Sequence, residues 1–370
     1  MNEKERIIKH NLITKIMNKI KQNLLSILFS LPLLFPNSIK AGTLDSYPTF
    51  QKGASYVSWW FDEYTYPRSK TSLQELKQTN TDVISLLTTQ YIDNLNSTNI
   101  HPIVEKTPTD NSLETALNNA RGLGMDVMLK PHVDVGADST TWRGYISFSN
   151  ETDWQAWFNS YKNFISHYAE FAENKGIKLL SIGTELKGTT HRNEWQDIIN
   201  SVRQKYSGRI TYASNWDEFN NISWFDKLDY IGIDAYFPLT NLNNPSIEEL
   251  IEAWQPYLSQ IEQNYQRFGK PILITEIGYR STDGANKSPW LAKIDLGEQA
   301  DCYQAAFHVL WSKPWFSGMY FWNWTTDPNQ GGLNDENYTP HGKPAEDIIR
   351  QWFSKSKETS VRNRSWTYYE

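Results

Sequence analysis

Short apolar segments alternate along most of this chain with longer segments in which apolar residues recur at helical spacing. Eight apolar runs have the length of buried strands, and most of them precede a segment with one apolar helix face. The predicted strands are residues 54–60, 82–89, 126–132, 178–185, 209–215, 228–236, 271–276 and 318–322. The predicted helices are residues 72–79, 112–123, 151–174, 192–206, 246–268, 298–311 and 344–352.

The residues between these segments fit a repeated strand–helix unit. Ser246 followed by Glu249 is typical of a capping box at a helix start. Four glycines stand between a helix and the next strand, where a left-handed cap residue is favoured: Gly124, Gly176, Gly208 and Gly269. The pattern predicts an α/β fold, a single-domain (β/α)8 TIM barrel. A doubly wound open sheet is the alternative, but no Gly-rich phosphate loop follows the first predicted strand.

The first residues differ from the rest of the chain. Basic residues up to Lys21 precede an apolar run over residues 24–35, and a small residue, Ala41, follows it. This order is typical of a secretory signal, and the run is short for a membrane span. We therefore expect a leader and signal peptide over residues 1–41, a catalytic barrel over 42–354 and a polar C-terminal tail over 355–370. We expect a secreted protein, extracellular or periplasmic, with no membrane association after cleavage; an uncleaved anchor is the alternative.

Composition narrows the class of partner. A formal net charge of −6 and the lack of a basic stripe argue against nucleic-acid binding. The single cysteine, Cys302, excludes an intramolecular disulfide, and the seven histidines show no zinc-ligand spacing, so we expect neither metal nor cofactor. The 16 Trp, 20 Tyr and 16 Phe suit either an aromatic core or a cleft in which flat rings stack on sugars. We expect a monomer with a polysaccharide or oligosaccharide substrate.

Two acidic residues stand at the ends of predicted strands. Functional side chains of such barrels lie at the C-terminal ends of the strands. Glu185 ends the fourth predicted strand and Glu276 ends the seventh, each after a mainly apolar run. A carboxylate in that position is costly to desolvate unless it is paired or used. The alternative for each is a structural ion pair, but two such residues favour a functional pair.

A pair of carboxylates across one rim suits the cleavage of a glycosidic bond. One carboxyl must be protonated to donate to the leaving oxygen, and the other must be ionised. Retaining enzymes place the two groups about 5–5.5 Å apart, whereas inverting enzymes separate them by about 6.5–9.5 Å. A sugar-binding protein on a degenerate barrel is the alternative from another class. An amidase or esterase is less favoured because the sequence has no Gly-x-Ser-x-Gly elbow.

Five segments, in this order, resemble glycoside hydrolase family 113: residues 129–134, 142–144, 182–186, 228–238 and 275–279. The resemblance extends over about residues 53 to 353. It implies a retaining endo-β-1,4-mannanase that acts on mannan or glucomannan, with Glu185 as general acid/base and Glu276 as nucleophile. A β-mannosidase or a hydrolase of another β-1,4-glycan is the close alternative.

Other residues at the predicted strand ends are candidates for substrate binding. Many relatives in the wider clan have Asn where this chain has Thr184, so Asn215 becomes the candidate for the sugar 2-OH. Tyr236 is expected to donate to the nucleophile, and Trp322 to form the floor beneath the sugar. A structural role is the alternative for each. The full set of predicted substrate-binding residues is Lys130, His132, Trp142, Asn215, Asp234, Tyr236 and Trp322.

Overall fold

The computed structural model describes residues 47–136, 140–287 and 293–357 of the chain. The predicted leader and signal peptide, residues 1–41, lie outside these ranges, as does the predicted tail beyond residue 357. Eight parallel strands close into a barrel in chain order, and the eighth pairs with the first. The prediction of a single-domain (β/α)8 TIM barrel is therefore confirmed.

Each of the eight predicted strands is present, with ends displaced by a few residues. Most strand residues are buried, because helices cover the outside of a closed parallel barrel and side chains fill its interior. The strands are β1 (Gln51–Val57), β2 (Val83–Ile92), β3 (Asp126–Val135), β4 (Leu179–Thr184), β5 (Arg209–Asn215), β6 (Ile231–Asp234), β7 (Ile272–Ile277) and β8 (Phe316–Thr325).

The helices agree with the prediction except in one place. The predicted helix 246–268 is two helices that meet at Trp254, because Pro256 in the first turn of the second cannot donate a backbone hydrogen bond. No helix in the described ranges is both long and apolar enough to cross a membrane. The α-helices are α1 (Pro67–Lys77), α2 (Asp110–Gly122), α3 (Glu151–Asn174), α4 (Trp195–Lys205), α5 (Ile247–Ala253), α6 (Gln255–Phe268), α7 (Leu296–Leu310) and α8 (Pro344–Phe353).

The predicted helix caps are mostly confirmed. The Ser246 hydroxyl accepts a hydrogen bond of 3.2 Å from the Glu249 backbone amide, and the Ser246 backbone amide donates one of 2.8 Å to the Glu249 carboxylate. Together the two bonds form a capping box. Three of the four glycines have the predicted left-handed conformation, whereas the prediction for Gly208 is wrong. A β-carbon on Gly208 would lie 2.3 Å from the Tyr206 hydroxyl oxygen, so close packing explains this glycine.

Aromatic residues form much of the core beneath the strands that carry the glutamates. The Trp195 ring stacks on Trp224 at 5.0 Å and meets the edges of Tyr161 and Tyr212 at 5.4 and 5.3 Å. All four side chains are buried. Part of the high aromatic content therefore supports β4 and β5 from outside the barrel, rather than lining a sugar cleft.

The closure of the barrel generates a prediction for Gly318, at the start of β8. Its φ of +136° places it where a side chain is rarely tolerated, and an added β-carbon would lie 2.2 Å from the carbonyl oxygen of Gln51. Gly318→Ala is expected to lower the free energy of unfolding by about 2–4 kcal/mol, measured by urea denaturation.

Gly122→Ala is the matched control, because nothing lies within 4 Å of its would-be β-carbon on the exposed face of α2. This substitution should change the free energy of unfolding by no more than about 1 kcal/mol, towards greater stability. Equal stability of the two variants would contradict the close approach of β8 to β1.

Candidate active site

A cavity of about 230 Å³ opens at the C-terminal ends of the barrel strands. It brings together residues from β3, β7 and β8 and from the loops that follow several strands. Most of its lining was predicted from sequence, although Arg143 and Tyr338 were not among the predicted site residues. The lining residues are His132, Arg143, Glu185, Tyr236, Glu276, Trp322 and Tyr338.

Glu276 lies near the end of β7 and is almost completely buried, with a relative exposure of 5%. The Tyr236 hydroxyl donates to its Oε2 at 2.7 Å, and the ammonium of Lys130 donates to its Oε1. A cation and a hydroxyl that both donate to a carboxylate stabilise its negative charge. Glu276 therefore faces the cavity with both carboxylate oxygens hydrogen-bonded to donors of the protein.

Lys130 and Asp234 lie beneath Glu276, and neither side chain is exposed to solvent. The Lys130 ammonium is 3.3 Å from Asp234 Oδ1, which also accepts a hydrogen bond of 2.7 Å from the Thr275 hydroxyl. Burial, and then the charge of Glu276, raises the pKa of Asp234 well above its usual range. Burial therefore opposes the ionisation of Asp234, although the Lys130 ammonium contacts both carboxyl groups. We therefore interpret Lys130 and Asp234 as support for Glu276, and not as the sugar ligands that the sequence suggested.

Glu185 follows β4 in a conformation that is rare for a residue with a side chain. Its φ is 51°, in the left-handed region, which costs a non-glycine residue about 1–2 kcal/mol. Strain of this kind concentrates at functional sites. The Trp142 indole donates to Glu185 Oε2 at 3.0 Å, so the carboxyl that lines the cavity has a neutral hydrogen-bond donor.

The protonation of Glu185 differs from that of Glu276. Burial raises the pKa of Glu185, and the negative charge of Glu276 raises it further, while the nearby Arg143 guanidinium opposes the shift. The net result is a carboxyl that keeps its proton to higher pH than an exposed glutamate. One cavity therefore holds a carboxyl suited to donate a proton and a carboxylate suited to attack.

Arg143 fixes the tautomer of His132. Its Nη1 is 2.8 Å from His132 Nδ1, and its Nη2 is 2.8 Å from Asp134 Oδ1. A guanidinium only donates, so Nδ1 accepts and the proton of the imidazole is on Nε2. Burial, then the charges of Arg143 and Lys130, lowers the pKa of His132 well below its usual range. Nε2 is buried and has no hydrogen-bond partner among the described residues.

The other predicted substrate-binding residues have mixed placements. Trp322 lines the central cavity, and Trp59 meets its ring edge-on at 6.4 Å. Trp142 borders the neighbouring cavity and contacts Glu185. Asn215 does not line the central cavity, and its side-chain amide donates to Asp217 Oδ1 at 2.7 Å. The contact of Asn215 with a sugar 2-OH therefore has no support in its surroundings.

The central cavity continues on both sides. It shares Arg143 with a cavity of about 440 Å³ that Trp59, Tyr91 and Trp142 border. It shares Tyr236 and Tyr338 with a smaller cavity of about 110 Å³ next to Phe237. The two glutamates thus lie within a longer groove, which has room for units of a chain on either side of them.

No group of three or more His, Cys, Asp or Glu side chains is arranged to hold a metal ion in the part of the chain that the structure describes. The position between Glu276 and Asp234, where two acidic side chains approach each other, is occupied by the Lys130 ammonium. The lysine supplies the positive charge that balances these two carboxyl groups.

Comparison with known proteins identifies a family. A family model described as Glycoside Hydrolase Family 113 matches residues 58–343. A comparison with curated protein sequences finds no match. The match covers the strands and loops that form the cavity, including both glutamates.

Solved structures of that family are similar over most of the chain. A β-1,4-mannanase of family 113 is 27% identical with a TM-score of 0.75, and the alignment covers 83% of this chain and 99% of that one. A family 113 β-mannanase from Alicyclobacillus acidocaldarius, in complex with ManMIm, is also 27% identical with a TM-score of 0.75, over 82% and 97% of the two chains. A β-glucuronidase from Ruminococcus gnavus, 13% identical with a TM-score of 0.56 over 82% of this chain and 50% of that one, shares the fold alone.

The buried lysine generates a stability prediction. Lys130→Met leaves Glu276 and Asp234 without their cation, so the free energy of unfolding at pH 7 should fall by about 3–5 kcal/mol. The loss should shrink as the pH falls, because burial raises the pKa of Asp234 in the folded protein. Protonation then removes the buried charge that has lost its cation. Urea denaturation at pH 7 and near pH 4.5 measures both effects.

Lys313→Met is the control, because it breaks an ion pair with Glu262 in which both side chains are partly exposed. This change should cost less than about 1 kcal/mol, with little dependence on pH. A Lys130 variant that behaves like the Lys313 variant would contradict the role given to the buried cation.

Proposed function

This chain belongs to glycoside hydrolase family 113, and we propose that it is a retaining endo-β-1,4-mannanase that cleaves mannan or glucomannan. The observation that carries the proposal is the contrast between two glutamates in one cavity. Glu276 accepts hydrogen bonds from the Lys130 ammonium and the Tyr236 hydroxyl, whereas burial raises the pKa of Glu185 and favours its protonated form. A double displacement needs this division of states.

In the first step, a Glu276 carboxylate oxygen attacks the anomeric carbon of the bound mannose unit. The bond to the leaving oxygen breaks, and the proton of Glu185 passes to that oxygen. The products are a shortened chain with a free hydroxyl group and a covalent glycosyl–enzyme ester. The charge of Glu276 is used up in the bond, while Glu185 becomes a carboxylate.

In the second step, Glu185 acts as the base. It takes a proton from a water molecule, whose oxygen attacks the anomeric carbon and displaces Glu276. The sugar leaves with the configuration it had in the polymer, because each step inverts the anomeric carbon. The Trp142 indole donates to Glu185 and can stabilise the carboxylate that exists between the two steps.

The surroundings of the pair support a sugar substrate. The Trp322 ring offers an apolar surface at the cavity that the two glutamates line. The family 113 structures that this chain resembles are described as mannanases, which favours mannose units. The groove on both sides of the glutamates favours cleavage within a chain over removal of a terminal unit.

Substitution of the two glutamates tests the mechanism. Glu185→Gln should lower kcat/KM for mannohexaose by about 10²–10⁴-fold, because proton transfer to the leaving group is lost. Glu276→Ala should abolish hydrolysis, because no bond to the anomeric carbon can form. Reducing-sugar release measures both, and proton NMR of the wild-type reaction should show the β-anomer as the first product.

Glu262→Gln is the control, since this residue forms a partly exposed ion pair with Lys313 and should leave turnover unchanged. Thermal unfolding checks that each variant is folded. Wild-type turnover in either active-site variant contradicts the assignment, and the α-anomer as first product contradicts a retaining mechanism.

The products from oligosaccharides separate internal from terminal cleavage. Mannohexaose should give mannobiose, mannotriose and mannotetraose early in the reaction, because the groove holds units on both sides of the cleaved bond. Chromatography of timed samples measures this pattern, with konjac glucomannan, xylan, cellulose and galactan tested in parallel. Early release of mannose alone would favour a β-mannosidase, and preference for another polymer would change the substrate. Binding to mannan without any release of sugar would favour a binding protein.

A further inference from the structure

A further buried carboxyl group, that of Glu218, lies behind Glu185 and does not line the cavity. It follows β5, where its amide donates to the Asn215 carbonyl at 3.0 Å, and its relative exposure is 1%. Within the described ranges, no Lys, Arg or His side chain forms a salt bridge with it. A buried carboxylate without a cation is costly, so its position calls for a physical account.

The contacts of Glu218 lead back to the acid/base. Its Oε1 accepts a hydrogen bond of 2.9 Å from the Tyr212 hydroxyl, and its Oε2 accepts one of 3.0 Å from the backbone amide of Asn215. The same Tyr212 oxygen accepts a hydrogen bond of 2.8 Å from the amide of Leu186, the residue after Glu185. The chain of donors therefore runs from the Leu186 peptide through Tyr212 to Glu218, and each bond strengthens the next.

These hydrogen bonds end at the strained backbone of Glu185. The Glu185 amide donates to the Ala213 carbonyl at 2.8 Å, and the Leu186 amide donates to Tyr212. The peptide groups on both sides of Glu185 are thus bound to β5, which opposes relaxation of its left-handed backbone. Loss of the Tyr212 contact would free the Leu186 peptide to rotate and would move the Glu185 carboxyl away from Trp142.

Burial decides the charge state of Glu218. It raises the pKa of Glu218 to about 7, against the Asn215, Tyr212 and Thr190 hydrogen bonds, and the charge of Glu185 raises it slightly more. Two charged groups next to these residues in sequence, Lys187 and Asp217, pair with each other at 2.5 Å near the surface.

We propose that Glu218 is a positioning residue that holds the acid/base Glu185 in its left-handed conformation through Tyr212 and the Leu186 peptide. This inference rests on the proposed function of Glu185. It assigns to Glu218 a part in proton donation to the leaving group, without contact with the substrate. The neighbouring step, attack by Glu276, does not depend on this chain of hydrogen bonds.

The test compares two substrates that differ in their need for a proton. Glu218→Gln and Tyr212→Phe should each lower kcat/KM for mannohexaose by about 10–100-fold. The same variants should lower kcat/KM for 2,4-dinitrophenyl β-mannoside by less than about threefold, because that leaving group departs without protonation. The ratio of the two values does not depend on the fraction of folded protein, so partial misfolding leaves it interpretable.

Asp82→Asn is the matched control for the ratio of the two kcat/KM values. Asp82 is another buried acid, just before β2 at the opposite end of the barrel, and burial raises its pKa to about 6. Its variant should leave the ratio unchanged.

Equal losses on both substrates would overturn the proposal. Crystal structures of Glu218→Gln and Tyr212→Phe add a readout that needs no activity: the Glu185 carboxyl should leave Trp142 Nε1, and an unmoved Glu185 also overturns it. If the wild-type protein cleaves another β-glycan instead of mannohexaose, the proposed substrate fails. The ratio measured with an oligosaccharide of that glycan then still decides the role of Glu218.

Discussion

The charge of a single buried cation organises the active site. Lys130 has no solvent contact and reaches both Glu276 and Asp234, so one positive charge faces two carboxyl groups. Burial resists a second negative charge, and Asp234 is the group whose ionisation it opposes more strongly. Glu276 therefore carries the charge at the cavity surface. The different preference of Glu185 and Glu276 for a proton depends on this distribution of charge beneath the cavity.

The barrel explains how residues so distant in sequence share that charge. Parallel strands in chain order place the end of β3 across the interior from β6 and β7, and alternate residues of each strand point inwards. Lys130 lies in the middle of β3, whereas Asp234 and Glu276 lie at or next to the ends of β6 and β7, and all three side chains meet inside the barrel. Closure of the sheet brings them together without a long loop, so the protein fixes its most costly charges on its most rigid elements.

The sequence predicted the elements and the glutamate pair, because both depend on local patterns. Apolar runs that end in an acidic residue, together with the rule that functional groups of a barrel lie at its strand ends, identified Glu185 and Glu276. The roles beneath the surface depend on contacts across the barrel, which no local pattern contains. Lys130 therefore read as a sugar ligand and Asn215 as a contact to the 2-OH. Tyr338 follows a polar loop that the sequence marks only by its Gly, Asn and Asp content.

The side chains that face the groove are only part of what sets their reactivity. Glu185 follows β4 with a backbone conformation that costs free energy, and β5 accepts hydrogen bonds from the peptide groups on both sides of it. One of the two acceptors is the hydroxyl of Tyr212, whose ring is fixed by Trp195 and Trp224 in the core outside the barrel. The aromatic packing that stabilises β4 and β5 thus also sets the direction of a carboxyl group in the cavity. With Glu185 as the proposed acid, substitutions in this part of the core should slow proton transfer from its carboxyl even where they leave the barrel folded.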